Sequence, residues 1–465
     1  MIVGDEITRK DLTKTITELA KFVLSTVQAM RNKGEIKEVI TEKPKINFDE
    51  FTYDLKTGGL GYKTSLGKEA VKEYDVNQQN SLVSSIKEST QYVNAQRQIS
   101  DYKSVEDLQS DFWLSNFVRR MVTDLSRKGI EWTEVFETLH VFLNDLDDEP
   151  MEWRIKTYVS GVVMEAMELN LEKGVKIKRL AVEDVSGSDM SPFGFNSVPP
   201  QNVGTAVLEI DTVEKIQPMV FARKDRLTLS LLLFRRGSVR DVKTVFDANS
   251  VIRWPGKGTY FTNQIFYSGD TYVLRDIDGE GLRLFIVNIR DKLPVDSNGQ
   301  IVMNDYIGIA LVRYQDSMLK PEAFSNRIGY SVMGLEALFL KENEREELSL
   351  RLSQRVSKLV TICTGGNVIE MFNVIEMFNV IKTAYDIRSS FVHGAFYSQK
   401  DADQKGIFDR VSEYLRESIV AFIVLKEIKR KEDLISLLDN SILDRNAEEK
   451  LKELVAKDAC KMVKF

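Results

Sequence analysis

The spacing of apolar residues changes character twice along the 465-residue chain, which divides it into three regions. In residues 1–172 the apolar positions recur at helical spacing, and this predicts an N-terminal helical region. Two series carry the pattern: Leu114, Phe117, Met121 and Leu125, and then Trp132, Val135, Phe136, Leu139, Phe142, Leu143 and Leu146. Residues 35–62 break it and contain GGLG, so we expect a loop there.

Residues 173–302 consist of short runs rich in β-branched and aromatic residues, separated by Gly, Pro, Asn and Asp. The runs are VKIKRLAV, GTAVLEID, LTLSLLLF, GTYFTNQIFY, TYVLRDI and LRLFIVNI. They predict a central, mostly antiparallel β domain. Residues 186–202, SGSDMSPFGFNSVPPQN, are expected to form a long loop, and DIDGEG at 276–281 a hairpin turn.

From residue 303 to residue 465 the helical spacing returns and predicts an α-helical bundle with a helical tail. Its first helix is marked by Ile307, Ala310, Leu311, Tyr314 and Met318. The hexapeptide NVIEMF occurs twice in succession, at 367–372 and 373–378. The fold class expected for the whole chain is therefore multidomain α+β.

Composition narrows the function classes. The chain has 64 Lys and Arg against 70 Asp and Glu, a net charge of −6, which argues against a protein that coats nucleic acid but leaves room for a local basic cleft. Its two cysteines, Cys363 and Cys460, form no CxxC motif, so we expect neither a thiolate zinc site nor a disulfide framework. The N-terminus lacks a signal-peptide pattern, and no run of about 18 apolar residues predicts a membrane span. We expect a cytoplasmic protein without metal or other cofactor.

The stretch YDIRSSFVHG places Arg388 five residues before His393 and sets Gly394 directly after it. One interpretation is structural: a histidine near a helix C-terminus that Gly394 caps. The other is chemical. Histidine transfers protons near neutral pH, and arginine stabilises phosphate charge with planar donors. A five-residue separation turns the two side chains about 140° apart on a regular helix, so they converge only in a wide cleft, at a distorted helix end or across two subunits.

Residues 303–430 resemble the ApeA-like branch of the HEPN (higher eukaryotes and prokaryotes nucleotide-binding) domain family. The resemblance is carried, in order, by VMGLEALFL, ELSLRLSQRVSKL and YDIRSSFVHG. It implies a helical bundle that pairs as a homodimer, and a metal-independent ribonuclease site built from the R-x4–6-H motifs of two protomers. Arg388 and His393 would then be catalytic. Ser389 follows the arginine where active members often carry a stronger polar group.

Three further residues are candidates for supporting the motif. Glu336 stands between Leu335 and Leu338 on a helix that should be buried, where a carboxylate needs a partner, and Arg388 is one possibility. Asp386 could orient the arginine or face solvent. Tyr385 could serve the site, although core packing is the commoner role of such an aromatic residue.

Two segments of the predicted β domain combine cations with aromatic residues, RRGSVR at 235–240 and RWPGKGTY at 253–260. Such a mixture suits single-stranded nucleic acid or a phosphate-bearing ligand. The alternative is a solvated basic face. The possible nucleic-acid contacts are Arg235, Arg236, Arg240, Arg253 and Lys257.

Two functions remain open from the sequence. The first is a toxin-like ribonuclease of prokaryotic antiviral defence, which cleaves RNA as a dimer after an unknown trigger or regulatory partner acts. The second is a non-catalytic HEPN module for dimerisation or for RNA or nucleotide binding, with ligand recognition in the β domain.

Overall fold

The computed structural model describes residues 7–35, 38–53, 60–128, 132–181, 184, 206–254, 256–261, 269–364, 370–392, 401–456 and 459–463. Helices lie at both ends of the chain, and a six-stranded antiparallel sheet lies in the middle. The α+β class predicted from the sequence is confirmed at this level. No described helix is both long enough and apolar enough to cross a membrane.

The N-terminal part forms five helices and a hairpin: α1 (Arg9–Asn32), β1 (Glu38–Tyr53), β2 (Leu60–Tyr74), α2 (Val76–Lys87), α3 (Thr90–Lys103), α4 (Asp107–Lys128) and α5 (Trp132–Leu146). Thr8 and Asp11 cap α1 reciprocally, which satisfies backbone N–H groups that the first turn leaves free. Helical spacing then buries one face of α1, including Leu12, Ile16 and Val23, in a core shared with the other helices.

The prediction of a helical region over 1–172 is wrong for the two strands of this hairpin and for residues 151–172, which contain three further strands. The expected loop at 35–62 is wrong as well, because residues 38–53 pair antiparallel with residues 60–74. Pro44 and alternating charges interrupt the apolar signal in β1, and strand pairing depends on a partner that a local window does not contain. The glycines Gly58 and Gly59 lie outside the described residues.

The described residues of the central part form eight strands and two α-helices: β3 (Met151–Ser160), β4 (Val162–Met164), β5 (Glu168–Glu172), β6 (Val175–Arg179), β7 (Ala206–Glu214), α6 (Gln217–Phe234), β8 (Arg240–Ala248), β9 (Gly258–Phe261), β10 (Tyr272–Leu274) and α7 (Gly279–Ile289). The six-stranded sheet has the order β5-β6-β7-β3-β8-β9. Alternation along β3 buries Met151, Trp153 and Ile155 on its core side. A separate pair, β4 and β10, runs parallel.

Two of the predicted strands are helices. LTLSLLLF belongs to α6 and LRLFIVNI to α7, and DIDGEG forms a short 3₁₀ turn and the start of α7 instead of a hairpin turn. A continuous apolar run is compatible with a buried strand or a buried helix, so periodicity alone does not separate them. Pro218 in the first turn of α6 was the available helix signal. The loop predicted at 186–202 lies outside the described residues.

The C-terminal part is helical, as predicted: α8 (Tyr306–Leu319), α9 (Phe324–Phe339), α10 (Leu348–Thr364), α11 (Glu370–Val392), α12 (Asp401–Leu425), α13 (Lys431–Asn440), α14 (Arg445–Ala456) and α15 (Ala459–Val463). The predicted core positions of α8 are all buried. The apolar residues of these helices form one continuous core with the buried face of the central sheet and with α6 and α7.

Charged groups also join the parts. Arg416 of α12 is buried and donates to the carbonyl oxygens of Leu233 and Phe234 at 2.9 and 3.2 Å, so that it satisfies the C-terminal end of α6. Asp145 of α5 receives hydrogen bonds from the loop after β8, and Val251 and Ile252 of that loop pack into the N-terminal core. The sheet is therefore tied to the helices on both sides.

Candidate functional site

Helix α11 carries the arginine of the R-x4-H motif near its C-terminal end. Ala384 and Ile387 of this helix are fully buried in the main core, which fixes the orientation of the neighbouring positions. Arg388 lies at the edge of that buried stripe, with 26% of its side chain exposed. The last residue of α11 is Val392, and His393 lies outside the described residues.

Arg388 and Glu336 come together between α11 and α9. Nη2 of Arg388 donates to Oε2 of Glu336 at 3.3 Å, and 19% of the Glu336 side chain is exposed. The bond is long for a charge-assisted contact and uses one donor of the guanidinium. Nε of Arg388 is buried and has no hydrogen-bond partner within the described structure. The stem of the arginine passes Gly329, where a Cβ atom would lie 3.9 Å from Cγ.

Burial raises the pKa of the Glu336 carboxyl, and the positive charge of Arg388 opposes that rise. The net direction is upward, so burial has the larger effect. A single long contact therefore compensates the carboxylate only in part. It also leaves the arginine unsaturated, because a guanidinium carries five N–H donors.

The other predicted supporting residues differ in their placement. Tyr385 is half-buried and packs against the main core, while its ring centre lies 5.9 Å from Cζ of Arg388. Burial raises the pKa of its hydroxyl, with Glu336 adding to the effect. Asp386 is exposed and Ser389 is half-buried. The structure thus brings Arg388, Glu336 and Tyr385 together and leaves Asp386 facing solvent.

This arrangement can bind an oxyanion. The Arg388 side chain is partly exposed, and its single long contact with Glu336 leaves other N–H donors of the guanidinium for a phosphate oxygen. The tyrosine ring near the cation adds an electrostatic contact and limits the movement of the guanidinium. This edge of α11 can therefore bind a negatively charged group.

Three of the five cations proposed as nucleic-acid contacts are paired with carboxylates inside the protein. Arg235 donates to Asp278 at 2.5 Å and Arg236 to Asp270 at 2.6 Å, while Arg253 lies 3.1 Å from Asp145.

The remaining two cations differ in exposure. Arg240 donates to the hydroxyl of Ser160 at 3.2 Å, and burial lowers the pKa of its guanidinium. Lys257 is exposed. A phosphate at Arg235, Arg236 or Arg253 would have to displace a carboxylate.

An aromatic cleft of about 260 Å³ lies at the edge of the central sheet, where α6 begins. Its lining residues are Gln217, Pro218, Phe221, Phe246, Thr259 and Tyr260. The rings of Phe221 and Phe246 meet edge to face, with centroids 5.1 Å apart. Gly258 permits this packing, because a Cβ there would lie 2.1 Å from the Phe246 ring. Tyr260 is 57% exposed, so one wall of the cleft is open to solvent.

Sequence reasoning missed a buried charged cluster on α12. Nη2 of Arg416 donates to Glu413 at 2.6 Å, and the adjacent Glu417 has a pKa raised to about 8, chiefly by burial and then by the charge of Glu413. The buried hydroxyl of Tyr314 nearby has no hydrogen-bond partner among the described residues. The available signal was the pair of charges Arg416 and Glu417 inside the otherwise apolar run YLRESIVAF.

Among the residues that the structure describes, no three His, Cys, Asp or Glu side chains lie close enough to hold a metal ion. No protein-family model, no curated protein and no solved structure matches the chain.

Proposed function

We propose that the C-terminal helices form an ApeA-like HEPN domain and that the protein is a metal-independent endoribonuclease of the cytoplasm. In this proposal it is a toxin-like effector of prokaryotic antiviral defence. The observation that carries the proposal is the state of Arg388. Its side chain is partly exposed, its buried Nε has no hydrogen-bond partner among the described residues, and it stands five residues before His393.

The reaction uses the 2′-hydroxyl of RNA as nucleophile. That oxygen attacks the adjacent phosphorus, the bond to the 5′-oxygen breaks, and the products are a 2′,3′-cyclic phosphate and a 5′-hydroxyl. Arg388 binds the non-bridging oxygens and stabilises the charge that they gain. His393 takes the proton from the nucleophile or returns one to the leaving oxygen, because a histidine side chain can exchange protons near neutral pH.

One copy of the bundle supplies one motif histidine, because the chain has two histidines and the other, His140, lies on α5. A reaction with separate acid and base histidines therefore needs two copies. This supports the proposed homodimer through the C-terminal bundle, with RNA as substrate and a trigger that is still to be identified. The sheet and the N-terminal helices would dock or transmit that trigger.

The test is a digest of single-stranded RNA in the presence of EDTA. We expect the native protein to cleave and to leave cyclic phosphate ends. His393→Ala and Arg388→Ala should each reduce the rate at least about 100-fold. Arg410→Ala is the matched control, because Arg410 also pairs with a glutamate, Glu376, on the surface of the bundle. Loss of cleavage in EDTA, or unchanged cleavage by His393→Ala, would refute the mechanism.

A second function is favoured by the aromatic cleft: a non-catalytic module that binds RNA or a nucleotide in the central part. Flat aromatic walls accept a base by stacking, and the exposed Lys257 adjoins Gly258 at the start of β9. In fluorescence-anisotropy titrations with short single-stranded RNA, Tyr260→Ala should then weaken binding while Arg388→Ala does not. Ile277→Ala, another exposed apolar position, is the control. The reverse pattern supports the nuclease instead.

A further inference from the structure

A pocket of about 320 Å³ lies between α4, α5 and the loop that follows β8, and we call it the junction pocket. Its lining includes Arg120, Asp124, Phe136, Glu137 and His140. None of its lining residues belongs to the aromatic cleft or to the proposed nuclease motif. Ligand pockets have volumes of about 300–1,000 Å³, so the junction pocket has room for one small molecule.

The wall of the pocket that the loop forms is held in place from behind. The hydroxyl of Ser250 donates to the carboxylate of Asp145 at 2.9 Å, and the backbone N–H of Val251 donates to the same oxygen at 2.6 Å. Ser250 and Val251 are buried, and both line the pocket. A wall that is already ordered lowers the entropic cost of binding a ligand.

The opposite wall is formed by α4 and α5, which run antiparallel. The hydroxyl of Thr138 donates to Oδ2 of Asp124 at 3.1 Å, and the rings of Phe117 and Phe142 stack with their centroids 4.4 Å apart. These two contacts fix the register of the helices. Positions 120 and 140 lie between them, so they stand at the same level on the two helices.

The end of the pocket at Arg120 and His140 presents hydrogen-bond donors. Nε of Arg120 donates to Oδ2 of Asp124 at 3.0 Å, which orients the guanidinium and compensates the carboxylate. The two Nη groups of Arg120 have no hydrogen-bond partner among the described residues, and 54% of the side chain is exposed. Two parallel N–H donors of this kind match a phosphate group.

His140 adds a donor at the same end. Its Nδ1 lies 3.1 Å from the side-chain amide nitrogen of Asn144. An amide nitrogen donates and does not accept, so Nδ1 is the acceptor and Nε2 of the ring carries a proton. The Nε2–H group and the guanidinium of Arg120 therefore both suit an anion.

The other end of the pocket combines an aromatic ring with hydrogen-bond acceptors. Phe136 and Glu137 precede His140 by about one turn of α5, which is about 5.4 Å. The side chain of Phe136 is 55% exposed, so its ring is open for stacking on a flat ligand. Glu137 is exposed, and its carboxylate has no partner among the described residues. Two carboxylate oxygens can accept from two parallel N–H groups of one ligand.

These two ends describe a ligand with a phosphate at one end and a flat ring at the other, separated by about the length of a sugar. Guanine carries two neighbouring N–H donors, at N1 and at the 2-amino group, which match the carboxylate of Glu137. Adenine presents an unprotonated N1 at the same edge, which a carboxylate repels. We propose that the junction pocket binds a guanine nucleoside monophosphate, with its base at Phe136 and Glu137 and its phosphate at Arg120 and His140.

This site stands apart from the chemistry proposed for RNA cleavage. Cleavage depends on Arg388 and His393, so the nuclease proposal holds if no nucleotide binds in the junction pocket. The pocket likewise does not depend on an active motif. A nucleotide bound there contacts both α4 and the loop after β8, so it should also slow hydrogen exchange at the amide of Val251.

Isothermal titration calorimetry of the full-length protein tests the proposal with GMP, AMP, guanosine and inorganic phosphate. We expect GMP to bind at least about tenfold more tightly than each of the other three. Arg120→Ala and Phe136→Ala should each raise the dissociation constant for GMP at least about tenfold. Arg119→Ala is the matched control, because this neighbouring exposed arginine donates to Asn80 and does not line the pocket. It should change the dissociation constant less than about twofold.

Glu137→Gln tests the choice of base. The amide keeps only one acceptor oxygen, so the preference for GMP over AMP should fall at least about fivefold, which a purely structural role of this side chain would not cause. Circular dichroism before each titration shows that the variants fold. The proposal is overturned if GMP shows no saturable binding, if it binds no more tightly than phosphate, or if Arg120→Ala and Phe136→Ala bind it as the native protein does.

Discussion

The carboxylate of Asp145 and the guanidinium of Arg253 meet at 3.1 Å in the junction between the N-terminal helices and the central sheet, with 1% of the Asp145 side chain exposed. The other carboxylate oxygen accepts from the hydroxyl of Ser250 and from the backbone N–H groups of Val251 and Ile252, at 2.6 to 3.0 Å. One buried side chain therefore organises the whole loop that enters the N-terminal core.

Removing that carboxylate should loosen the junction. Asp145→Ala leaves two buried N–H groups without their acceptor and removes the carboxylate partner of Arg253, so we expect a loss of about 3 kcal/mol in the free energy of unfolding. Denaturant titration measures it, and hydrogen exchange should show faster exchange of the Val251 and Ile252 amides. Glu137→Ala, at an exposed position of the same helix, is the control. An equal effect of both variants would contradict the role assigned to Asp145.

The contact of Arg388 with Glu336 allows stability and chemistry to be separated. Arg388→Ala leaves the carboxylate of Glu336 without its cation, so we expect a loss of about 1–2 kcal/mol in stability at pH 8. Adding Glu336→Gln should recover most of it, because the group left behind is then neutral. RNA cleavage should not recover in the double variant if Arg388 binds phosphate. Recovery of both quantities would make the arginine purely structural.

The acid stability of the bundle should depend on Glu344. Its carboxylate receives two hydrogen bonds from Arg355, at 2.7 and 2.6 Å, and these bonds lower the pKa of Glu344 to about 2. A depressed pKa stabilises the folded protein above the ordinary value of 4.5, and this stabilisation is lost as the pH falls toward 2.

Glu344→Gln should therefore lower the free energy of unfolding by about 1–2 kcal/mol at pH 7, after solvent screening is allowed for, and by much less at pH 2.5. Denaturant midpoints of both proteins at the two pH values measure the difference. Glu346→Gln removes an exposed carboxyl two residues away and should have no such pH dependence. If the native protein and Glu344→Gln differ in free energy of unfolding by the same amount at both pH values, the lowered pKa assigned to Glu344 is wrong.

Glu417 predicts the opposite pH dependence. Its pKa is raised from 4.5 to about 8, so the folded protein holds a proton that the unfolded chain releases. The contribution of this group is fully present below pH 4.5 and is lost as the pH rises through 8. Glu417→Gln should therefore be close to neutral at pH 5 and should stabilise by about 2–4 kcal/mol at pH 9.

Thermal or denaturant unfolding at pH 5 and pH 9 measures this gain. Glu427→Gln, at an exposed position just after α12, provides the control and should change stability equally at both pH values. If Glu417→Gln gives no pH-dependent gain in the free energy of unfolding, the Glu417 carboxyl is already solvated.

The sequence was a good guide where contacts are local. The helical spacing of Ile307, Leu311 and Met318 predicted α8, because each residue is buried by its position on the helix. The placement of Glu336 between two leucines was enough to anticipate a partner, and Arg388 is that partner. In both cases burial follows from the period of one helix, although the partner of Glu336 lies 52 residues further along on another helix.

The sequence was a poor guide where a residue's contacts are made by residues far away in the chain. The partners of Asp145 lie 105 to 108 residues away, so nothing near position 145 indicated four hydrogen bonds. The run LTLSLLLF is helical because the sheet and the C-terminal helices enclose it, which a local window does not contain. The hairpin was missed because each of its strands depends on pairing with the other.

The continuous core has a consequence for how the molecule would respond to its surroundings. Because the sheet and the helices that carry Arg388 share their apolar interior, neither can melt without exposing the other. The central part and the C-terminal helices, about two thirds of the chain, should therefore unfold in one cooperative transition on heating or in denaturant, and proteolysis should detect the same transition. A ligand that binds at the edge of the sheet would then stabilise the distant helices as well. Calorimetry would record this as a higher unfolding temperature for the whole unit.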